Sequence, residues 1–147
     1  MLVKEIMSTN PACCKAETSL QEVAKMMVTN DCGCIPVVEN NAHNKLIGVI
    51  TDRDITCRTV AEGKNPLELT AADVMTKKVF TVTPKTSVED CLNLMETKQI
   101  RRVAVIDDAG NCCGIVAQAD IAINIGNHKT AELVQKVSEE SAHSNAG

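Results

Sequence analysis

The chain repeats itself, and this internal duplication limits its fold more than any other feature of the sequence. Residues 5–30, EIMSTNPACCKAETSLQEVAKMMVTN, align with residues 73–98, DVMTKKVFTVTPKTSVEDCLNLMETK, at a shift of 68 positions. After a two-residue deletion the shift becomes 66, and LIGVITDRDI at 46–55 aligns with CCGIVAQADI at 112–121. Two copies of roughly 55–60 residues are too few for a solenoid, which stacks three or more repeats. We therefore predict two similar units related by a pseudo-twofold axis.

An amphipathic helix is predicted near the start of each copy. Thr18 is followed three residues later by Gln21, and Thr86 by Glu89, which is the capping-box spacing that opens a helix. Apolar residues then recur at i, i+3, i+4 and i+7, so one face of each helix must be buried. These residues are Leu20, Val23, Ala24 and Met27 in the first copy and Val88, Cys91, Leu92 and Met95 in the second.

Short apolar runs flank a polar loop after each of these helices. The first copy has IPVV and LIGVI around ENNAHNK, and the second has VAVI and CCGIV around DDAGN. Such runs predict strands joined by a turn. A short extended segment precedes each helix, at 12–15 and 80–83, and a second helix follows the strands, at 52–62 and 118–125. Each copy therefore has the predicted order β-α-β-β-α.

One such copy is thin for independent stability, since a small domain buries a small share of its surface. We therefore predict an α/β (α+β) fold in which two pseudo-twofold-related β-α-β-β-α repeats pack sheet to sheet. The Gly, Asn and Pro residues in EGKNPLELTAAD mark the connection between them. The predicted divisions are residues 1–62 for the first repeat, 63–70 for a linker, 71–127 for the second repeat, and 128–147 for a C-terminal helix and disordered tail.

Composition excludes several classes of partner. The formal net charge is −4, whereas a general phosphate-backbone binder usually carries a basic stripe. One Phe, with no Trp or Tyr, leaves no aromatic platform for stacking bases, so no nucleic acid is expected. No apolar run reaches the roughly 18–20 residues of a membrane span, and the first residues lack the apolar core of a signal peptide. We expect a cytoplasmic protein without membrane contact.

The stretch GVITDRDI at 48–55 carries the strongest candidate for a ligand contact. Thr51 and Asp54 form T-x-x-D before an apolar helix face, which by itself is the pattern of a capping box. The same residues suit a nucleoside, because a carboxylate can accept hydrogen bonds from both hydroxyls of a ribose. Amides at a helix start attract phosphate, and Arg53 would add positive charge. The two interpretations are compatible, and the residues alone leave both open.

The duplicated motifs resemble those of the cystathionine-β-synthase (CBS) domain family. The paired motifs are MS and MT, SLQE and SVED, IPVV and VAVI, and GVITDRD and GIVAQAD, in that order. The resemblance covers about residues 3–125 and implies a Bateman module, which is a tandem CBS pair. It implies a non-catalytic regulatory role, in which AMP, ADP, ATP or S-adenosylmethionine binds in clefts between the copies, with no obligatory cofactor. It also implies a homodimer that acts on a protein partner, which the sequence does not identify.

The same resemblance assigns residues to two clefts, each of which draws on both copies. It favours Thr51 and Asp54 as the phosphate and ribose contacts of the first cleft, and Asp120 as the ribose contact of the second. Ala117 stands where the second copy should have a hydroxyl, so the second cleft is expected to bind more weakly. The first cleft would add Thr70, Ile100, Arg101 and Arg102, and the second would add Cys32, Gly33, Cys34 and the segment near Lys4. Both arginines also fit a plain solvated strand edge.

Eight cysteines allow disulfides, a metal or redox site, or simple burial as small apolar side chains. Cys13 aligns with Thr81 and Cys34 with Arg102, so their environments stay open. The C-G-C run at 32–34 suits a soft-metal or redox pair, but without a C-x-x-C pair we predict no metal site. The other six align with aliphatic residues, which favours burial: Cys14, Cys32, Cys57, Cys91, Cys112 and Cys113.

No acid–base pair, nucleophile constellation or phosphate-cradling glycine loop is recognisable, so we predict no catalytic residue and no enzyme activity. His43, His128 and His143 fall in a loop, a linker and a tail and are expected to be exposed. The leading hypothesis is a sensor of adenosyl ligands. The alternatives are a dimeric protein-interaction module without a physiological nucleotide, and a redox or metal sensor built on the cysteines.

Overall fold

The computed structural model describes residues 1–40 and 42–124, which form two mixed sheets and five α-helices. The predicted C-terminal helix and tail at 128–147, with His128 and His143, lie outside these residues, as does Ile125. The first elements are β1 (Ser8–Thr9), β2 (Cys14–Lys15), α1 (Leu20–Thr29), β3 (Cys34–Val38), β4 (Leu46–Thr51) and α2 (Asp52–Arg58). The remaining elements are α3 (Ala71–Val74), β5 (Thr81–Val82), α4 (Val88–Lys98), β6 (Arg102–Ile106), β7 (Cys112–Ala117) and α5 (Gln118–Asn124).

Both halves have the predicted order β-α-β-β-α, as β2-α1-β3-β4-α2 and β5-α4-β6-β7-α5. In each half the first strand pairs in parallel with the second, and the second pairs antiparallel with the third. Cys14 lies opposite Val37, and Val82 lies opposite Val105, so the register is also duplicated. Even the break in register recurs, directly after Val37 and directly after Val105. The predicted fold class is confirmed.

The helices α1 and α4 begin one residue later than the predicted capping boxes. The hydroxyl of Ser19 accepts a hydrogen bond from the backbone N–H three residues on at 3.1 Å, and that of Ser87 does the same at 3.0 Å. The hydroxyls of Thr18 and Thr86 instead accept from the backbone N–H three residues earlier, each at 3.0 Å. The prediction that the threonines cap these helices is therefore wrong, because they close the preceding turn and leave the cap to serine.

Helix α2 is shorter than the predicted span of 52–62. It ends at Arg58, because Thr59 has a non-helical backbone with φ of −123° and ψ of −77°. Thr59 is fully buried, and its hydroxyl donates to the carbonyl of Ile55. A short 3-10 turn, Val60–Glu62, follows and ends at Gly63, whose φ is 72°. No helix in the described part of the chain is long and apolar enough to cross a bilayer.

Each half has a hydrophobic core that the other repeat completes through its leading segment. We give this name to residues 2–9 and 70–77, which align at the shift of 68. Val3 and Ile6 lie in the core of the second half, and Ala71 and Val74 lie in the core of the first. The first core also contains Cys14, Leu20, Val23, Met27, Ile35, Val37 and Ile50. The second also contains Val82, Val88, Cys91, Leu92, Met95, Val103, Val105, Val116 and Ile121.

The backbone holds the two leading segments by equivalent hydrogen bonds. The N–H of Val3 donates to the carbonyl of Thr86, and the N–H of Ala71 donates to the carbonyl of Thr18, both at 2.8 Å. Strand β1 then pairs with the edge of β7 through Ser8 and Thr9. Thr76, which aligns with Ser8, pairs with β4 in the other sheet. Because the exchange is reciprocal, neither repeat has a complete core or a complete sheet edge on its own.

The two sheets also meet at their hairpin loops. The N–H of Leu46 donates to the carbonyl of Gly110 at 3.0 Å, and the N–H of Cys112 donates to the carbonyl of Asn44 at 2.8 Å. A β-carbon at Gly48 would lie 2.9 Å from the carbonyl oxygen of a residue in the second leading segment, so glycine permits this approach. The repeats are therefore joined along the outer edge of each sheet and at the hairpin loops.

The exchanged core residues can be tested with a matched pair of isoleucine substitutions. Ile6 is 7% exposed within the second core, whereas Ile123 on α5 is 79% exposed. Ile6→Ala should lower the free energy of unfolding by about 2–5 kcal/mol, because it leaves a cavity in the core. Ile123→Ala should change it by less than about 0.5 kcal/mol. Urea unfolding followed by circular dichroism measures both, and equal small effects would contradict the exchange.

Candidate functional site

Helix α2 begins at a capping box formed by Thr51 and Asp54. The Thr51 hydroxyl accepts a hydrogen bond from the Asp54 N–H, and Oδ2 of Asp54 accepts one from the Thr51 N–H, both at 3.0 Å. The capping interpretation of T-x-x-D is therefore confirmed. The second carboxylate oxygen, Oδ1, lies 3.8 Å from Nη2 of Arg58, which is too long for a strong hydrogen bond. Asp54 thus fixes the helix start with one oxygen and presents the other beside a guanidinium.

The second repeat builds the same helix start without the hydroxyl. Oδ2 of Asp120 accepts a hydrogen bond from the Ala117 N–H at 2.9 Å, in the same way that Asp54 accepts from Thr51. Ala117 has no side-chain oxygen to accept from the first amides of α5, so half of the capping box is missing. The carboxylate is kept in both repeats, and the hydroxyl is kept in one.

Residues from both repeats meet around Gly33, which directly precedes β3. A β-carbon at Gly33 would lie 2.9 Å from Oδ2 of Asp52 and 3.3 Å from Nη1 of Arg102. Asp52 is the first residue of α2 in the first repeat, and Arg102 is the first residue of β6 in the second. Because Gly33 has no side chain, a carboxylate and a guanidinium from different repeats can approach the same point.

Cys34 lies next to this point and is influenced by charges from both repeats. Burial raises the pKa of the Cys34 thiol to about 11, and the guanidinium of Arg102 opposes this shift. Negative charge on Cys32, Asp54 and Cys112 raises the same pKa further. Cys34 pairs with Thr51 across β3 and β4, so the start of α2 lies beside it. Nη1 of Arg102 lies beside the adjacent Gly33. We call the region formed by Gly33, Cys34, Asp52, Asp54 and Arg102 the inter-repeat crevice.

A cavity of about 410 Å³ opens at the inter-repeat crevice, and this volume is within the range of small-molecule sites. It combines Cys32 and Gly33, which the family resemblance assigns to one cleft, with Arg102, which it assigns to the other. Asp54 and Asp120 are not among its lining residues, so the division into two clefts stays a prediction. The lining residues are Met27, Val28, Asp31, Cys32, Gly33, Asp52 and Arg102.

The other predicted site residues have structural roles of their own. Ile100 packs against the second core, and Arg101 is exposed while its carbonyl accepts the first N–H of α5 at 2.9 Å. Thr70 begins α3, and its N–H donates to Oδ2 of Asp73 at 2.8 Å. Arg53 is exposed on α2. Contact between these residues and a ligand stays a prediction.

Sequence reasoning missed three charged residues near the crevice, which are Asp31, Asp52 and Arg58. Asp52 lies inside the TDRD motif, and Arg58 follows Asp54 by four residues, the spacing of a helical ion pair. Nη1 of Arg58 also donates to the carbonyl of Val74 at 2.7 Å, which ties α2 to the second leading segment. Asp31 has a left-handed backbone with φ of 48°, and no sequence signal marks its position at the cavity.

The eight cysteines are free thiols in different environments. Among the six predicted to be buried, Cys14, Cys91 and Cys112 are buried, and Cys32 and Cys113 are half-buried. Cys57 is exposed, so its predicted burial is wrong. Its aligned partner Ile123 is itself 79% exposed, so an aliphatic partner did not indicate burial there. Across residues 1–40 and 42–124, no group of three or more His, Cys, Asp or Glu side chains is placed to hold a metal ion.

Comparison with known sequences identifies the class of domain. The family model of the CBS domain matches the chain twice, over residues 3–58 and 71–127. The CBS domain-containing protein YhcV of Bacillus subtilis is 35% identical over 142 residues, which are 96% of this chain and 98% of that protein. Hypoxic response protein 1 of Mycobacterium tuberculosis is 31% identical over 134 residues, which are 91% of this chain and 92% of that protein. The chain therefore belongs to the CBS domain family and contains a CBS domain pair.

Solved structures of CBS pairs share this architecture. A structure of hypoxic response protein I with two coordinated zinc ions has a TM-score of 0.76 at 32% identity, over 85% of this chain and 99% of that one. The CBS domain pair of protein MJ0100, in complex with 5′-methylthioadenosine and S-adenosyl-L-methionine, has a TM-score of 0.76 at 31% identity. That comparison covers 86% of this chain and 96% of the other. The resemblance inferred from the duplicated motifs is confirmed.

The unequal helix starts of the two repeats give a reciprocal prediction. Thr51→Ala removes the hydroxyl cap of α2 and should lower the free energy of unfolding by about 1 kcal/mol. Ala117→Thr supplies a hydroxyl that can accept from the Asp120 N–H. It should raise the free energy of unfolding by about 0.5–1 kcal/mol, because the start of α5 otherwise matches the start of α2. Chemical denaturation measures both changes. A destabilising Ala117→Thr would show that the two helix starts are not equivalent.

Proposed function

We propose that this CBS pair is a regulatory module that binds an adenosyl ligand at the inter-repeat crevice. The proposal rests on the approach of the two repeats beside β3. Cys34 pairs with Thr51, whose N–H donates to Asp54, and Arg102 of the second repeat lies beside Gly33. A carboxylate suits the hydroxyls of a ribose, and a guanidinium suits a phosphate or carboxylate. The MJ0100 pair, which is 31% identical to this chain, binds adenosyl compounds, and this supports the class of ligand.

Each charged group has a distinct role in this proposal. Oδ1 of Asp54 accepts hydrogen bonds from the ribose, since Oδ2 is held by the Thr51 N–H. Arg102 is exposed and donates to the phosphate or carboxylate of the ligand. Met27 and Val28 supply an apolar wall of the cavity for the purine. One ligand therefore contacts both repeats, and it stabilises the arrangement in which those contacts coincide.

This coupling gives the module its regulatory character. A ligand that contacts both repeats shifts the population of the protein towards the arrangement of repeats that it binds more tightly. We infer that the chain acts as a homodimer without catalysis and passes this change to a protein partner. The net charge of −4 makes nucleic acid an unsuitable partner. The proposed binding mode uses charged groups of the chain alone and includes no obligatory cofactor.

The proposed role of Asp54 can be tested by calorimetric titration with AMP, ADP, ATP and S-adenosylmethionine. At least one ligand should bind with a micromolar or lower Kd, as expected for about 8 kcal/mol of binding free energy. Asp54→Asn should weaken this binding by about tenfold or more, because the amide keeps an acceptor for the Thr51 N–H but loses the negative charge.

Asp90→Asn is the matched control for this substitution. Asp90 occupies the third position of α4, as Asp54 does in α2, and it is exposed. The Asp90 variant should bind like the parent protein. A folded protein that binds none of the four compounds yet forms a stable dimer would contradict the proposal. The chain would then be a protein-interaction module, and the absence of a hydroxyl at Ala117 fits that alternative.

The charge of the cavity predicts which adenosyl compounds bind best. Asp31 and Asp52 contribute two carboxylates, and Arg102 contributes one guanidinium. A triphosphate would bring further negative charge beside the carboxylates, so AMP and S-adenosylmethionine should bind at least about tenfold more tightly than ATP. In the same titrations, the double variant Asp31→Asn/Asp52→Asn should bring the affinity for ATP closer to the affinities for AMP and S-adenosylmethionine.

The control for this double variant removes two carboxylates elsewhere. Glu39→Gln/Asp108→Asn changes the net charge equally at two exposed positions that do not line the cavity. It should leave these relative affinities unchanged. Tighter binding of ATP than of AMP by the parent protein would contradict the predicted selectivity while leaving the adenosyl-binding proposal intact.

A further inference from the structure

Two opposite charges meet in the cavity of the inter-repeat crevice without pairing with each other. A β-carbon at Gly33 would lie 2.9 Å from Oδ2 of Asp52 and 3.3 Å from Nη1 of Arg102, so the gap between these atoms is at most the sum of the two distances. Both residues line the cavity. Within residues 1–40 and 42–124, no ion pair joins them. A carboxylate and a guanidinium are therefore offered side by side to a third group.

Asp52 is held in place at the start of α2. Its N–H donates to the carbonyl of Gly33 at 3.0 Å, and its Oδ1 accepts from the N–H of Arg53 at 2.9 Å. The oxygen that lies nearest to Gly33 is the other one, Oδ2. One carboxylate oxygen thus fixes the helix start, and the other can accept a hydrogen bond from a ligand.

Arg102 reaches the same point from the second repeat. It is the first residue of β6, where it lies opposite Ala117 in the pairing with β7. Its side chain is exposed, so the charge is open to a ligand in the cavity. A guanidinium is planar and can bind a carboxylate through two parallel hydrogen bonds. The residue therefore suits an anion of defined shape.

The equivalent position of the other repeat does not have this pair of charges. Gln118 aligns with Asp52, and Cys34 aligns with Arg102. A neutral amide and a buried thiol thus replace the carboxylate and the guanidinium. The arrangement of opposite charges belongs to the crevice around Gly33 and is not a general product of the duplication.

The spacing of the two charges suits an α-amino acid. The ammonium and carboxylate of such a group are attached to the same carbon, so they lie side by side. With a hydrogen bond of about 2.8 Å at each end, the group bridges two charged partners that are near each other but not in contact. A phosphate at the same place would be attracted by Arg102 and repelled by Asp52. The zwitterion satisfies both residues.

We propose that Asp52 and Arg102 form a subsite for the α-amino acid group of an adenosyl ligand. The inference rests on the proposed function and names the class of ligand, which is an adenosyl amino acid such as S-adenosylmethionine or S-adenosylhomocysteine. Oδ2 of Asp52 accepts from the ammonium, and Arg102 donates to the carboxylate. Because the two residues belong to different repeats, one amino acid group is held by both.

The subsite is tested by calorimetric titration of the full-length protein with ligands that differ in single groups. 5′-Methylthioadenosine keeps the adenosine and the thioether of S-adenosylhomocysteine but lacks the amino acid. S-adenosylhomocysteine should therefore bind at least about tenfold more tightly than 5′-methylthioadenosine. Decarboxylated S-adenosylmethionine keeps the ammonium but lacks the carboxylate, and it should bind about tenfold more weakly than S-adenosylmethionine.

Two variants assign the two charges of the amino acid to their partners. Arg102→Gln should weaken binding of S-adenosylmethionine by about tenfold and leave the decarboxylated compound unchanged, since the latter has no carboxylate to lose. Asp52→Asn should weaken binding of both compounds by about tenfold, since both carry the ammonium. Neither variant should change the affinity for 5′-methylthioadenosine, which also shows that the variant has folded.

Gly33→Ala tests the same subsite without removing either charge. The added methyl group would lie 2.9 Å from Oδ2 of Asp52, so the carboxylate must move. The preference for S-adenosylhomocysteine over 5′-methylthioadenosine should fall by about threefold or more. The matched controls are Asp108→Asn and Lys85→Gln, which remove one charge of each sign at exposed positions that do not line the cavity. Both controls should bind every compound like the parent protein.

The outcomes separate this inference from the proposed function. If S-adenosylhomocysteine binds no more tightly than 5′-methylthioadenosine, the subsite is wrong. The same holds if Asp52→Asn and Arg102→Gln weaken both compounds equally. Binding of 5′-methylthioadenosine that Asp54→Asn weakens would still support the proposed function in either case. A folded protein that binds no adenosyl compound would overturn both proposals.

Discussion

The reciprocal exchange of leading segments is the interaction on which the rest of the structure depends. Val3 and Ile6 complete the second core, and Ala71 and Val74 complete the first. A half-domain of this size buries too little apolar surface to be stable alone, so the exchange makes each repeat the folding partner of the other. It also sets the relative position of the two sheets. The crevice between the sheets is therefore a consequence of core packing. Arg58 of α2 links the crevice to the exchanged core through its hydrogen bond to the second leading segment.

The scaffold is symmetric, but the chemistry at the repeat boundary is not. The carbonyl of Gly33 accepts the first N–H of α2 at 3.0 Å, and the carbonyl of Arg101 accepts the first N–H of α5 at 2.9 Å. The residue that accepts this backbone hydrogen bond is thus glycine in one repeat and arginine in the other. Likewise the helix start at Thr51 has a hydroxyl that Ala117 lacks. Duplication gives two equivalent backbone arrangements whose side chains differ. The first repeat has the small residue Gly33 and the hydroxyl of Thr51 at this position, whereas the second has the positive charge of Arg101.

Much of the fold could be predicted from the duplication and the hydrophobic periodicity. The element order and the buried faces of α1 and α4 follow from short-range patterns, although Ala24 is only half-buried. The exchange of leading segments could not be predicted, because a repeat alignment shows which residues are equivalent and not which half they pack against. The helix caps were misplaced by one residue for a related reason, since Thr18 and its neighbour Ser19 both offer hydroxyls and the turn geometry decides between them. Cys57 shows the same limit, because alignment with an aliphatic residue carries no information about exposure.

In the proposed binding mode, one ligand is held by both repeats, between the carboxylate of Asp54 and the guanidinium of Arg102. A crystal structure of the chain with AMP or S-adenosylmethionine tests this most directly. We expect a ribose hydroxyl within about 3 Å of Oδ1 of Asp54, and a phosphate or carboxylate oxygen at hydrogen-bond distance from Arg102. A ligand that contacts residues of one repeat alone, or that leaves Asp54 untouched, would contradict it.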